Sequence, residues 1–217
     1  MVQKPEDAGP TPARRPRGRP RSFDAAATLA QATLAFWRQG YAATSMDDLG
    51  AATGLNRPSL YGAFGDKHAL YLQALRLYTE QSNAAMAAAL QGRPLREGLL
   101  RVYDLALQLY YPPDEAARGC LLIGTAATEA PRDEAIRRQL GDSLRSFTAA
   151  FETRLKQAVD AGELPAGTDV ATRAELASAV LHSMALRARA GDAREALAAL
   201  ARAGVEMVLS PLGTGAR

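Results

Sequence analysis

Between residues 44 and 67 the chain carries Thr44, Ser45, Asn56, Arg57, Ser59, Tyr61 and Lys67 within two dozen positions. These are side chains that grip nucleic acid. Arg and Lys neutralise phosphates, Ser, Thr and Tyr bond to phosphate oxygens, and Asn and Arg offer paired groups to base edges. A second cationic feature lies upstream, where residues 14–21 read Arg-Arg-Pro-Arg-Gly-Arg-Pro-Arg. The first 22 residues hold six basic and two acidic side chains, a balance of +4 in a chain whose whole charge is +3, so the rest is −1. A basic arm on a nearly neutral body points to an anionic polymer as partner.

Other chemistry is sparse. No Ser/His/Asp or paired-carboxylate arrangement stands out, and the glycines form no phosphate loop. The two histidines, His68 and His182, and the one cysteine, Cys120, are too scattered for a metal cluster. No catalytic residue, metal or cofactor is expected. One cysteine excludes an intrachain disulfide and suits a reducing compartment. No apolar run is long enough to span a membrane, and the N-terminus has no signal-peptide core. These features predict a cytoplasmic protein that is not an enzyme.

The elements that must position the cluster are helices. Ala, Leu, Arg, Glu and Gln recur, and strand-type alternation of β-branched residues is hard to find. The predicted fold is all-α, an N-terminal three-helix helix-turn-helix domain plus a larger helical domain. Asp24 caps a first helix that stops at Gly40, with Leu29, Ala32, Phe36 and Trp37 inward. Ser45 and Asp48 form a capping-box pair for a short helix that ends at Thr53-Gly54. Asn56 caps the next short helix, with Pro58 in its first turn. Leu49, Leu55, Leu60 and Phe64 supply the small core between these two. Gly65-Asp66 opens a long helix at 67–90, and Gly92-Arg93-Pro94 breaks it. Further helices are expected near 94–110, 119–129, 132–161, 169–189 and 192–209, the last capped by Asp192. The organisation is therefore a disordered basic arm at 1–21, a DNA-binding domain at 22–82 with its helix-turn-helix at 45–64, and a helical domain at 83–217.

The ungapped run from Phe36-Trp37-Arg38-Gln39-Gly40-Tyr41 through Thr44-Ser45-Met46-Asp47-Asp48-Leu49 to Gly54-Leu55-Asn56-Arg57-Pro58-Ser59-Leu60-Tyr61-Gly62-Ala63-Phe64-Gly65-Asp66-Lys67 resembles the DNA-binding domain of the TetR family of bacterial transcriptional regulators. The likeness covers about residues 22–82. It implies a homodimeric repressor on a palindromic operator of double-stranded DNA, with Asn56–Phe64 as recognition helix. It implies base contacts from Arg57 and Ser59 and phosphate contacts from Thr44, Tyr61 and Lys67. Ser45 and Asn56 join the candidates at the helix starts, and Gly62 removes bulk where a backbone would meet the groove floor. The resemblance also makes the larger helical domain a ligand-binding and dimerisation domain, whose small-molecule effector is coupled to the reader through the helix at 67–90. In the family the last two helices pair with their copies. Here their stripes, which include Leu176, Val180, Leu181, Met184, Leu197, Leu200, Val205 and Val208, fit a monomer core equally well.

Several residues keep two readings. Arg17 and Arg19, in Arg17-Gly18-Arg19-Pro20, have the form of an AT-hook core that enters an A·T minor groove, or they are a charge run that adds affinity only. Cys120 follows Arg118-Gly119 at a helix start, which favours a reactive thiolate sensor. The plainer alternative is a core thiol beside Leu121, Leu122 and Ile123. Tyr103, with Tyr110 and Tyr111, lines a cavity or belongs to the core, and His182 faces a pocket or the dimer seam. Asp133-Glu134 and Arg137-Arg138 have the spacing of exposed i,i+4 ion pairs. Two rival functions remain. One is an architectural A·T-rich DNA-binding protein in which the arm dominates. The other is a helical carrier or enzyme with an incidental helix-turn-helix.

Overall fold

The computed structural model describes residues 23–113 and 115–210. The basic arm, with Arg17 and Arg19, lies outside the described residues. Within them the chain is all helical: α1 Ala25–Gln39, α2 Met46–Thr53, α3 Arg57–Phe64, α4 Lys67–Leu90, α5 Leu95–Tyr110, α6 Ala127–Glu129, α7 Glu134–Asp160, α8 Val170–Arg189 and α9 Arg194–Leu209.

Local capping sets the reader's boundaries. Asp24 accepts the backbone N–H groups of Ala26 and Ala27 at the start of α1. The capping box of α2 is complete. Ser45 Oγ accepts from Asp48 N, and the Asp48 carboxylate accepts from Ser45 N at 2.8 Å. Gly54 then takes a left-handed φ of 69°, which lets the chain turn tightly into α3. Asn56 caps α3 through Ser59 N at 2.9 Å, and Asp66 caps α4 through Ala69 N at 2.8 Å. Satisfying orphan N–H groups at each helix start is worth about 1 kcal/mol apiece. That is why four successive boundaries fall where polar residues stand.

Packing joins reader to body. Met46, Leu49, Leu60 and Phe64 are buried between α2, α3 and their neighbours. Phe36 of α1 meets Tyr71 of α4 edge to face at 5.0 Å. α4 has 24 residues and so runs roughly 36 Å. Its first half packs on α1, and it also packs against α5 and α7, while α8 packs against both α7 and α9. One continuous hydrophobic cluster runs from Ala32 to Val208. Among the described residues no helix is long and apolar enough to cross a membrane.

Three local expectations are corrected. The helix expected at 119–129 begins at Leu121, and Leu122–Ala126 runs with π geometry before α6. Asp192 does not cap α9. Its N–H closes the turn after α8 on the Arg187 carbonyl, and its carboxylate accepts from the Arg187 guanidinium at 2.7 Å, which leaves Ala193 at the cap. Asp133 does not pair with Arg137. It caps α7 through Ile136 N and lies 2.9 Å from His68 Nε2, while Glu134–Arg138 does form the expected surface pair. His68 is accordingly half-buried against Asp133.

Gly119 is the glycine the fold depends on most. Its φ is 61°, and a Cβ there would lie 2.3 Å from the Ala185 carbonyl oxygen. Gly119→Ala should therefore cost about 3 kcal/mol, combining left-handed strain with displacement of backbone. Gly162, at φ 73° with open space around it, isolates the strain alone. Gly162→Ala should cost only about 1 kcal/mol. Denaturant midpoints of the two variants, measured side by side, check the difference.

Candidate nucleic-acid interface and its link to a buried cavity

α3 presents one open face. Arg57 and Tyr61 are exposed, Tyr61 to 50%, while Leu60 and Phe64 are buried beneath them. Gly62 is exposed as well, with open space where a Cβ would stand. Ser59 is half-buried and uses its backbone N–H on the Asn56 cap. Lys67 opens α4 with its ammonium 4.4 Å over the Tyr41 ring, a cation–π seat close to a helix N-terminus. These residues share the reader's surface, and the fold brings the α3 set and Lys67 together.

Ser45 and Asn56 are exposed, but both already act as caps. Any contact they make with an anion shares that role. Thr44 is a different matter. It is fully buried, and its hydroxyl donates to the Gly40 carbonyl at 2.6 Å. Its side chain therefore has no surface for a phosphate, and it stabilises the loop that leads into α2 instead. Arg57, expected to be free for a base, is held bidentately by Asp47 of α2. The Arg57 guanidinium keeps the Asp47 carboxyl below its usual range.

The reader is tied to the body at Trp37. Its indole N–H donates to the Gly119 carbonyl at 3.0 Å in a buried setting. The Arg118 guanidinium lies 4.1 Å over the same ring. Next to it, Arg38 makes a fork on the Glu115 carboxylate at 2.6 and 3.0 Å. The Trp37 ring also meets Tyr78 of α4 edge to face at 5.0 Å. Tyr78 in turn donates its hydroxyl to Cys120 Sγ at 3.2 Å. Trp37, Tyr78, Cys120 and Gly119 thus form a closed ring of contacts between α1, α4 and the segment that begins the π-helical stretch.

Behind that ring lies a cavity of about 70 Å³ between α4, α5, α7 and α8. Its wall is mainly Val, Leu, Ala, Met and Phe, with Tyr78, Ser82, Tyr110, Cys120 and His182 as the polar groups. Among the described residues no Asp, Glu, Lys or Arg lines it. Burial pushes the Tyr78 and Tyr110 hydroxyls well above the usual range. Burial also lowers the His182 pKa, which favours the neutral imidazole, and its buried Nε2 has no hydrogen-bond partner among the described residues. The space suits a few waters, well below the several hundred Å³ of a site for a drug-sized ligand.

Cys120 and His182 therefore face one cavity. Tyr103 does not. It is fully buried in the core, where its hydroxyl donates to the Ala177 carbonyl at 3.0 Å. Tyr110 stands two helical turns further along nearly the same face of α5 and reaches the wall instead. Cys120 stands at a helix start as expected and accepts from the Leu122 and Ile123 backbones and from Tyr78. Desolvation outweighs these bonds and pushes the thiol up. The core-thiol reading fits this geometry, and a lowered thiol pKa does not. The sequence reading missed Tyr78 and Ser82. Their signal was the run Tyr71, Ala74, Tyr78, Ser82 at spacings of three and four along α4.

Comparison with known proteins places both halves. Residues 29–74 match the family described as bacterial regulatory proteins, tetR family, and residues 97–204 match a tetracyclin repressor-like C-terminal domain. The chain is 32% identical over 190 residues to the HTH-type transcriptional repressor ComR of Escherichia coli (strain K12), covering 85% of this chain and 89% of that one. It is 29% identical over 185 residues to the repressor BdcR of the same strain, covering 85% and 88%. Among solved structures, a cysteine mutant of the TetR family regulator CifR, complexed with 26 bp double-strand operator DNA, superposes with a TM-score of 0.80 at 31% identity. The match covers 87% of this chain and 98% of CifR.

Cys120 provides a direct check on the cavity wall. Because the thiol is buried and its pKa is raised, iodoacetamide should alkylate it at pH 8 at least about tenfold more slowly in the native protein than in urea. Equal rates, followed by mass spectrometry, would place the thiol on an open surface instead.

Proposed function

This chain belongs to the TetR family of bacterial transcriptional regulators, and on that footing we propose that it is a cytoplasmic homodimeric repressor that occupies a palindromic operator and leaves it when a small molecule enters the cavity. The observation that carries the reading is the exposed face of α3. Arg57 and Tyr61 project from a helix-turn-helix whose core is complete, so the projecting side chains have no packing role to explain them. The operator complex of CifR, and the naming of ComR and BdcR as repressors, support it.

A second copy of the chain covers α8 and α9. Leu186 on α8 and Met207 on α9 stand 61% and 47% exposed, large apolar groups that a partner would bury. The dimer sets the distance between two recognition helices, and half-sites about one helical turn apart then follow from DNA geometry.

The effector is uncharged and mainly apolar. An ion would find no counter-charge in the wall, and burying one unpaired is costly. One polar group of the ligand would satisfy His182 Nε2. Since the cavity holds only a few waters, entry parts its walls, Tyr78 among them. Tyr78 touches Trp37, so the motion reaches α1 and alters the spacing of the readers. The effector acts through its differential affinity for the two geometries.

Gel shifts with the DNA upstream of its own gene test the reading. Wild type should bind with a steep salt dependence, and Lys67→Ala should lower the slope of log affinity against log salt by about 1. Arg57→Ala should weaken binding by roughly 1–3 kcal/mol. Deleting residues 1–21 should lower affinity yet keep the preferred site. Loss of all site preference on that deletion would favour an architectural A·T-binding protein, and wild-type affinity in an Arg57→Ala, Tyr61→Ala protein would exclude α3 as the reader.

A further inference from the structure

We propose that Asp47 is a specificity-determining positioning residue, holding Arg57 so that the free edge of its guanidinium reads a guanine. The inference rests on the reading above that α3 is the recognition helix, which a helix-turn-helix lays in the major groove.

The geometry is specific about which edge is free. Arg57 Nε donates to Asp47 Oδ1, and Arg57 Nη2 donates to Asp47 Oδ2. A guanidinium has five N–H groups in a planar fork. Two are taken by the carboxylate. The three that remain, both on Nη1 and one on Nη2, form the outer edge. Two parallel donors at that spacing match guanine, whose major-groove edge offers O6 and N7 as paired acceptors. Adenine offers one acceptor and one donor there, so the same fork rejects it.

The pair stands at the surface of the reader. The Arg57 side chain is 56% exposed and that of Asp47 is 70% exposed. Arg57 is the first residue of α3 and Asp47 lies in the first turn of α2, so the bond spans the two helices of the motif. Asp48 beside it has a structural task in the capping box, whereas the carboxylate of Asp47 is directed at Arg57. A carboxylate facing DNA is repelled by the phosphates and lowers affinity for every sequence. What it returns is order. A lone arginine has many rotamers to lose on binding, and one already held in its fork has fewer. Asp47 thus trades general affinity for discrimination at one base pair.

Selection from a random duplex library, with the full chain as bait, tests this. Wild type should enrich a site with a guanine in each half whose preference disappears in Arg57→Ala. In Asp47→Ala the preference for that guanine should fall at least about fivefold, while affinity for an unrelated duplex rises. Asp47→Asn, which keeps the size and one acceptor, should fall between and serves if the alanine protein does not fold by circular dichroism. A guanine preference that is unchanged or sharper in both variants overturns the proposal and makes Asp47 a mere competitor for Arg57. So does a site whose guanines do not depend on Arg57. If wild type enriches no site at all, the DNA-reading function fails with it.

Discussion

Trp37 donates its indole proton to the Gly119 carbonyl, and the two halves of the chain are joined there. The bond is buried, so neither partner can exchange it for water without cost. It is also crowded from every side. Arg118 covers one face of the ring, Tyr78 meets it edge to face, and the Ala185 carbonyl leaves no room for a side chain on Gly119. A junction packed this closely holds α1 against the body in one arrangement. A reader joined in this way has a geometry that the body can set.

The cavity lies on the other side of the same contacts. Tyr78 belongs to both, since its ring touches Trp37 and its hydroxyl bonds to Cys120 on the wall. Cys120 follows Gly119 directly in the chain. The short π-helical stretch after it carries Thr125, which shares a 2.6 Å hydrogen bond with Tyr71 of α4. A π-helical turn is a common mark of a functional site because its bonding can be rearranged. Side chains that line the cavity and side chains that seat the DNA reader are thus one packed group, in direct contact through Tyr78.

Much of this was legible in the sequence, and for local reasons. Asp24, Ser45, Asn56 and Asp66 announced four helix starts, because an orphan N–H must find an acceptor within three residues. Gly54 announced the turn. What was not legible depends on which way a side chain faces across the fold. Thr44 sits in the family motif, but only the loop geometry shows its hydroxyl turned inward to Gly40. Tyr103 and Tyr110 share nearly one face of α5, and only the packing of the other helices decides that one is core and the other cavity wall. Cys120 carries local signals for a low thiol pKa, yet burial from distant elements reverses them. Asp192 looks like a cap until the turn around Gly191 sends its carboxylate back to Arg187. Local hydrogen-bonding rules can be read along the chain, whereas burial is a property of the whole.

If cavity and reader are one coupled unit, the coupling must run both ways, because linkage between two binding equilibria is reciprocal. DNA held by α3 must then change the cavity wall. Cys120 is the only cysteine in the chain and it lies on that wall. The most direct measurement is its rate of alkylation with and without a saturating duplex that the protein binds specifically. Bound DNA should slow the reaction by about threefold or more, since the bound reader holds the Trp37 junction closed. A rate that stays the same or rises when DNA is added would contradict the coupling.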